Sequence, residues 1–211
     1  MKAFILANGP VRDYAFLKRE IARAQIIVAC DGGLRHAEAI GVAPDSVVGD
    51  MDSADPGPLA NYESGGAKII RYPADKDDSD FALALDHAIA LGASEIVAFG
   101  ALGGRFDHAA ANVCAMYGAM QKNVRARLQD ERTCVFFITG SETVNREGYD
   151  YISLFPFDGE ARGVSTRGLK YPIKSETLRA GETRGLSNRF VGEHAEISVG
   201  EGVLLAVKAR E

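Results

Sequence analysis

Long apolar runs are missing from this chain. No stretch approaches about 18 consecutive apolar residues, so no membrane-spanning helix is expected. The opening segment Met1-Lys2-Ala3-Phe4-Ile5-Leu6-Ala7-Asn8-Gly9-Pro10 is too short and too poor in apolar residues for a secretory leader. It reads instead as a first strand ending in a turn. Cysteine is scarce. Cys30, Cys114 and Cys134 are odd in number and show no CxxC spacing, which argues against a disulfide framework and points to a reducing, cytoplasmic compartment. Cys30 has no histidine beside it and reads as a packing residue. Positive charge is also in deficit: 24 Lys and Arg face 29 Asp and Glu, for a net charge of −5. A general nucleic-acid binder would need a basic face, so that class is not expected.

What remains is an ordinary soluble composition, with 46% hydrophobic and 25% charged residues in 211. The first part alternates short apolar runs with helical stretches. The runs are Ala3–Ala7, Ile26–Cys30, Ser46–Val48, Lys68–Arg71 and Glu95–Phe99. Over Asp78–Leu91, Phe81, Leu85 and Ile89 recur every four residues. Ser79 or Asp78 can cap that helix and Gly92 fits its end. An Ala-rich second helix covers Phe106–Met120. This alternation predicts an α/β domain with a mostly parallel sheet flanked by helices, over residues 1–122. Past residue 122 the pattern changes to short β-branched and aromatic runs at Arg125–Gln129, Thr133–Thr139, Tyr151–Phe155, Ala195–Val199 and Val203–Lys208. Residues 123–211 therefore read as a small all-β sandwich, with the strands at 124–139 able to complete the first sheet instead.

The chemistry concentrates in loops at strand ends, where α/β sheets bind ligands. Between residues 45 and 80 lie Asp45, Asp50, Asp52, Asp55, Glu63, Asp75, Asp77, Asp78 and Asp80, opposed only by Lys68, Arg71 and Lys76. Clustered carboxylates repel unless a cation is shared, and hard oxygen ligands suit Mg²⁺. Asp50 and Asp52 are two apart on an extended segment and can face one metal, with Gly49 allowing close backbone approach. Asp77 and Asp80 are three apart at a predicted helix start and can share a face, though acids there also serve as caps. Gly100-Ala101-Leu102-Gly103-Gly104-Arg105-Phe106-Asp107-His108 runs from strand to helix and can cradle phosphate, with Arg105, His108 and Asn112 at helical spacing. It matches neither a P-loop nor a dinucleotide fingerprint. Asp31-Gly32-Gly33 and Asn8-Gly9 occupy the same place on other strands and either bind nucleotide or simply turn. His36, His87 and His194 read as packing or surface residues. Acids for metal beside a glycine turn and an arginine suggest phosphoryl-type transfer, with divalent metal bridging carboxylates and ATP.

Three segments in order, Gly49-Asp50-Met51-Asp52-Ser53, Lys76-Asp77-Asp78-Ser79-Asp80 and Gly103-Gly104-Arg105-Phe106-Asp107-His108, resemble the thiamine pyrophosphokinase family. Thr166-Arg167-Gly168-Leu169-Lys170-Tyr171 and Gly185-Leu186-Ser187-Asn188 resemble its C-terminal domain. The resemblance implies an α/β domain with a β-sandwich, a homodimer with sites between subunits, and transfer of a diphosphoryl group from ATP to thiamine. It implies Mg²⁺ on Asp50, Asp52 and Asp80, with Asp77 supporting the acidic site or accepting the hydroxyl proton. It places Arg105 on the ATP phosphates, oriented by Asp107, and Asn8, Asp31, Gly32, Gly103, Gly104, His108 and Asn112 about the nucleotide. Tyr171 would stack on thiamine, and Ser187 and Asn188 would line its pocket. Met51 stands where the family frequently has Phe. The rival expectations are a diphosphokinase for another heterocyclic alcohol, such as a hydroxymethyl pterin, and a non-catalytic nucleotide or thiamine sensor.

Overall fold

Strand β1 (Lys2–Leu6) shows no polar alternation. Ala3, Phe4, Ile5 and Leu6 are all fully buried, which is the signature of a central strand covered on both faces. The structure, a computed structural model, describes residues 1–75 and 77–211, so Lys76 of the acidic segment lies outside the described residues. The chain forms two compact units, Met1–Glu131 and Arg132–Glu211.

In the first unit β1 is followed by α1 (Tyr14–Ile21), β2 (Ile26–Cys30), a 3₁₀ turn at Asp31–Gly33, α2 (Leu34–Ile40) and β3 (Ser46–Gly49). Then come α3 (Pro56–Ser64), β4 (Lys68–Arg71), α4 (Asp80–Ala90), β5 (Glu95–Phe99), α5 (Phe106–Gln121) and β6 (Arg125–Gln129). Local chemistry sets the helix ends. Asp13 caps α1 on the Phe16 N–H, Asp55 caps α3 with Pro56 just inside, and Gly41 closes α2 in the left-handed region. Ser79 caps α4 by accepting from the Ala82 N–H, so the helix begins at Asp80. Asp77 and Asp78 therefore precede the cap, and Asp77 does not share a helical face with Asp80 as its spacing suggests. The competing cap was the nearer one to the apolar stripe.

The strands are parallel in the order β6-β5-β1-β2-β3-β4. The chain steps one way from β1 to β4, then α4 carries it back past β1 to β5. Right-handed crossovers place α1, α2 and α3 on one face and α4 and α5 on the other. Consistent with this, α1 and α3 pack on α2, while α4 packs on α5 and across β2 and β3. The direction reverses between β1 and β5, which makes their carboxyl ends the switch point where such sheets bind ligands. Phe4 and Phe99 stack across that seam at 5.9 Å between ring centroids. The predicted strand at Arg125–Gln129 pairs parallel with β5 and belongs to this unit.

The second unit contains strands only among its described residues. They are β7 (Thr133–Ile138), β8 (Ser141–Asn145), β9 (Tyr151–Pro156), β10 (Ala161–Arg167), β11 (Glu176–Leu178), β12 (Asn188–Arg189), β13 (His194–Ser198) and β14 (Leu204–Ala209). β7, β14, β9 and β12 lie side by side, antiparallel; β8, β13, β10 and β11 form a second antiparallel sheet. One apolar core draws on both sheets, with Ile138, Ile152, Leu154, Leu204 and Ala206 from one and Val144, Val164, Leu178 and Ile197 from the other. That shared core makes the unit a sandwich.

Candidate active site

Parallel strands that end together bring residues distant in sequence to one edge. Asp31 follows β2, and Asp50 and Asp52 follow β3. One carboxylate oxygen from each lies within 4.8 Å of the others. Asp31 is buried, Asp50 half-buried and Asp52 exposed. The Ser53 N–H donates to Asp31 Oδ2 (2.9 Å) and the Ser53 hydroxyl to Asp52 Oδ1 (2.9 Å), so one serine ties two of the acids together. Gly49 makes this approach possible. A Cβ there would stand 2.6 Å from Asp31 Cβ and 3.4 Å from Asp80 Cγ, which also places the Asp80 carboxyl at the end of β3. The buried Cys30 thiol donates to the Asp80 carbonyl at 3.7 Å, joining the start of α4 to the end of β2. Burial and the neighbouring acids push that thiol well above its ordinary value, so Cys30 is a packing residue and not a nucleophile.

Asp31 carries the electrostatic signature of the group. Burial, with lesser contributions from Asp52 and Asp50, raises its pKa from 3.8 to about 6, against the lowering effect of the Ser53 N–H. Its Oδ1 is buried and has no hydrogen-bond partner among the described residues.

The switch-point edge adjoins this group. The Gly9 N–H donates to the Gly100 carbonyl (2.7 Å), and a Cβ on Gly9 would stand 2.3 Å from that same oxygen. The loop after β5 turns through Gly103 and Gly104, both with positive φ and both against Pro10. Arg105 follows in extended backbone as the residue capping α5, so it lies outside the helical face carrying His108 and Asn112. Its guanidinium grips Asp107 through two bonds, Nε to Oδ1 (3.1 Å) and an Nη to Oδ2 (2.6 Å). That contact holds the Asp107 carboxyl below the usual carboxylate range. Asn112 turns back and donates to the Ala101 carbonyl (2.9 Å), supporting the loop. On the other side Gly32 lies against the Asn8 side chain, and Arg35 donates to Asn8 Oδ1 (2.5 Å) and to the Asn8 carbonyl. His36 is buried and bridges the Gly9 carbonyl (2.9 Å from Nε2) and the Tyr14 hydroxyl (2.9 Å from Nδ1). Burial lowers its pKa, which fits a neutral ring donating through Nε2 and accepting at Nδ1.

In the second unit a loop is pinched shut at Thr166 and Ile173. The Thr166 N–H donates to the Ile173 carbonyl (2.9 Å), and the Ile173 N–H donates back to Thr166 Oγ1 (2.9 Å). The loop presents Tyr171, 54% exposed, with the Lys170 ammonium 5.4 Å above its ring. Asn188 is buried and its amide is committed. Its Oδ1 accepts from the Tyr171 and Arg189 N–H groups (3.0 Å each), and its Nδ2 donates to the Tyr171 carbonyl (2.6 Å). Ser187 is exposed with φ 53 and donates its N–H to Ser153 Oγ (3.0 Å).

Two family models match in chain order. Residues 17–128 match the thiamin pyrophosphokinase catalytic domain and residues 141–204 match the thiamin pyrophosphokinase vitamin B1 binding domain. The chain belongs to the thiamin pyrophosphokinase family. It is 27% identical over 209 residues to the Bacillus subtilis protein named thiamine pyrophosphokinase, covering 98% of each. The crystal structure of thiamine pyrophosphokinase from that organism superimposes with a TM-score of 0.89 at 24% identity, covering 100% of both chains. That of thiamin pyrophosphokinase from Geobacillus thermodenitrificans gives 0.85 at 25% identity, over 100% of this chain and 98% of the other.

In a thiamin pyrophosphokinase chain the sequence motifs thus fall into two places. Asp31, Asp50, Asp52 and Asp80, with Gly32 and the Gly103–His108 loop, lie in the segment matching the catalytic domain, and Asn8 precedes it on the loop after β1. Tyr171, Ser187 and Asn188 lie in the segment matching the vitamin B1 binding domain. Asp31 stands with the carboxylate group, a role its sequence position did not suggest. The signal available was that Asp31 and Asp50 each end one of two neighbouring parallel strands.

Proposed function

We propose that this chain transfers a diphosphate group from ATP to the hydroxyethyl oxygen of thiamine, forming thiamine diphosphate and AMP. The observation that carries this reading is the convergence of acids from two strand ends beside the glycine turn at the switch point, in a chain that matches both halves of the family. The donor set fits Mg²⁺. Carboxylate oxygens converge, one of them is buried without a hydrogen-bond partner among the described residues, and Asp31 keeps its proton to about pH 6. Asp31, Asp50, Asp52 and Asp80 would hold the metal, which when bound neutralises phosphate charge beside these acids.

The chain's own residues then position the reactants. Gly103, Gly104 and Arg105 receive phosphate oxygens. Asp107 fixes the Arg105 fork in one plane, and Asn112 supports the turn from behind. Gly32, Asn8 and His108 flank the nucleotide. Asp77, exposed ahead of the α4 cap, accepts the thiamine hydroxyl proton. Tyr171 stacks on thiamine and Ser187 borders its pocket. Asn188 serves that pocket through Tyr171, since its amide holds the Tyr171 backbone. Asn188→Ala is accordingly expected to raise the thiamine KM about tenfold with a smaller change in kcat, because two backbone bonds to the stacking residue are lost. Steady-state kinetics checks this; an unchanged thiamine KM would remove Asn188 from any part in the pocket.

A homodimer accounts for apolar surface that each chain leaves open. Phe106 is 85% exposed and Val191 73%, and α5 buries only Met116 and Ala119. Among the described residues no helix is long and apolar enough to cross a membrane, and the three cysteines are free; we read the enzyme as cytoplasmic. The reaction is tested by incubating the protein with ATP and Mg²⁺, with and without thiamine. Thiamine-dependent AMP with a product of the mass of thiamine diphosphate is expected. AMP formed only with a hydroxymethyl pterin would move the enzyme to the other diphosphokinase class.

A further inference from the structure

A triphosphate bound at the switch point must settle beside Asp31, Asp50, Asp52 and Asp80. Two arginines reach this edge with their guanidinium groups fixed by hydrogen bonds, and they differ in charge balance. Arg105 is paired with the Asp107 carboxylate at 2.6 Å, so much of its charge is already cancelled locally. Among the described residues, Arg35 is exposed and donates only to neutral oxygens: Asn8 Oδ1 at 2.5 Å, the Asn8 carbonyl, and the Gly9 carbonyl at 3.4 Å. Its positive charge is therefore available to an anion. Its position is also fixed by contacts on either side. Asn8 and Gly9 follow β1 at the seam with β5, and Asn8 lies against Gly32 at the end of β2. Arg35 thus stands between the carboxylate group and the Gly103-Gly104 turn.

The geometry points to Arg35 as a phosphate-binding residue for the nucleotide. When ATP arrives, the guanidinium exchanges neutral carbonyl partners for phosphate oxygens. Charge-assisted forked bonds are roughly twice as strong as bonds to neutral acceptors, so the exchange is favourable. The Gly9 carbonyl stays satisfied through His36, which holds the loop in place while Arg35 turns. This inference rests on the nucleotide reading of the same edge.

The test compares equilibrium binding of ATP and of adenosine, with Mg²⁺ present, to the wild-type chain, Arg35→Gln and Arg35→Lys. The glutamine variant should lose about ten- to a hundredfold in ATP affinity and keep its adenosine affinity. The lysine variant should recover part of the ATP affinity, since it keeps the charge and loses the fork. Equal losses for ATP and adenosine would show that Arg35 only holds the Asn8 loop, and would overturn the assignment. Wild-type ATP affinity in Arg35→Gln would overturn it too. Failure of the nucleotide reading looks different: the wild-type chain itself would not bind ATP.

Discussion

Asp31→Asn is expected to abolish thiamine-dependent AMP formation, by roughly a thousandfold or more in kcat/KM, while making the metal-free protein more stable at neutral pH. Activity falls because the buried member of the carboxylate group can no longer offer a charged oxygen. Stability rises because burial penalises the charged carboxylate there. The folded-state value of about 6 lies above the ordinary 3.8, so the folded chain holds this proton more tightly than the unfolded chain does. The contribution is fully present at pH below the ordinary value and is lost as pH rises through about 6. Asparagine keeps the acceptor for the Ser53 N–H and removes the charge. Thermal unfolding in chelator between pH 4 and 8 should therefore show a falling slope in the wild type near pH 4 to 6 that the variant lacks. Mg²⁺ should reverse the order, raising the wild-type melting temperature and leaving the variant nearly unmoved. Since the metal must displace a proton, its affinity for the wild type should climb up to about pH 6 and then level off. A variant that keeps full activity would take Asp31 out of the metal site.

Gly49→Ala should damage both activity and stability, the opposite pairing to Asp31→Asn. The added methyl would lie 2.6 Å from Asp31 Cβ, an atom bonded directly to the backbone of a buried turn. Gly49 also has φ 154, an angle that side chains other than glycine rarely adopt. Overpacking of this kind costs about 1–3 kcal/mol, and a domain of this size then loses several degrees in melting temperature. Relief requires β2 and β3 to separate at their ends, which spreads the acids. Activity should drop by at least about a hundredfold and the Mg²⁺-dependent thermal shift should shrink. Calorimetry with and without Mg²⁺ checks both. A fully active, equally stable alanine variant would mean that the two strand ends are not held in the arrangement described.

These contrasts bear on what could be read from the chain beforehand. Strands buried on both faces, such as β1, β2 and β5, announce themselves as unbroken apolar runs, and α4 carries a four-residue apolar stripe with a serine cap. The sandwich was harder. β8 has a single buried apolar residue, Val144, and in β10 the register shifts between Ala161 and Val164, so the two-residue alternation breaks. β11 and β12 are too short to show a period. Within the site, paired acids two residues apart stood out, yet Asp31 joins them through strand adjacency, which is a property of sheet order and not of spacing. The spacings drawn from Arg105 and from Asp77 do not lie on helical faces, because α5 begins at Phe106, where its apolar pattern predicts, and α4 begins at Asp80, so each charged residue precedes its helix. Asn188 stood out as a polar residue in a pocket motif, while its commitment to the Tyr171 backbone depends on a loop seventeen residues away.

The sheet order has a consequence for how the molecule comes into being. β1 is made before both of its neighbours, β2 and β5, and Lys2 pairs with Glu95. Half of its hydrogen-bonding edge must therefore wait while the whole arm carrying β2, β3 and β4 is made. The Gly9–Gly100 contact belongs to that late seam. A nascent chain halted before β5 can hold Asp31, Asp50 and Asp52 on adjacent strand ends and still lack the Gly103-Gly104 turn. Such an intermediate would carry the acids without the glycine turn beside them, with one apolar strand edge open to wrong pairing. Translation through β5 is thus the step that both protects the edge and completes the crevice.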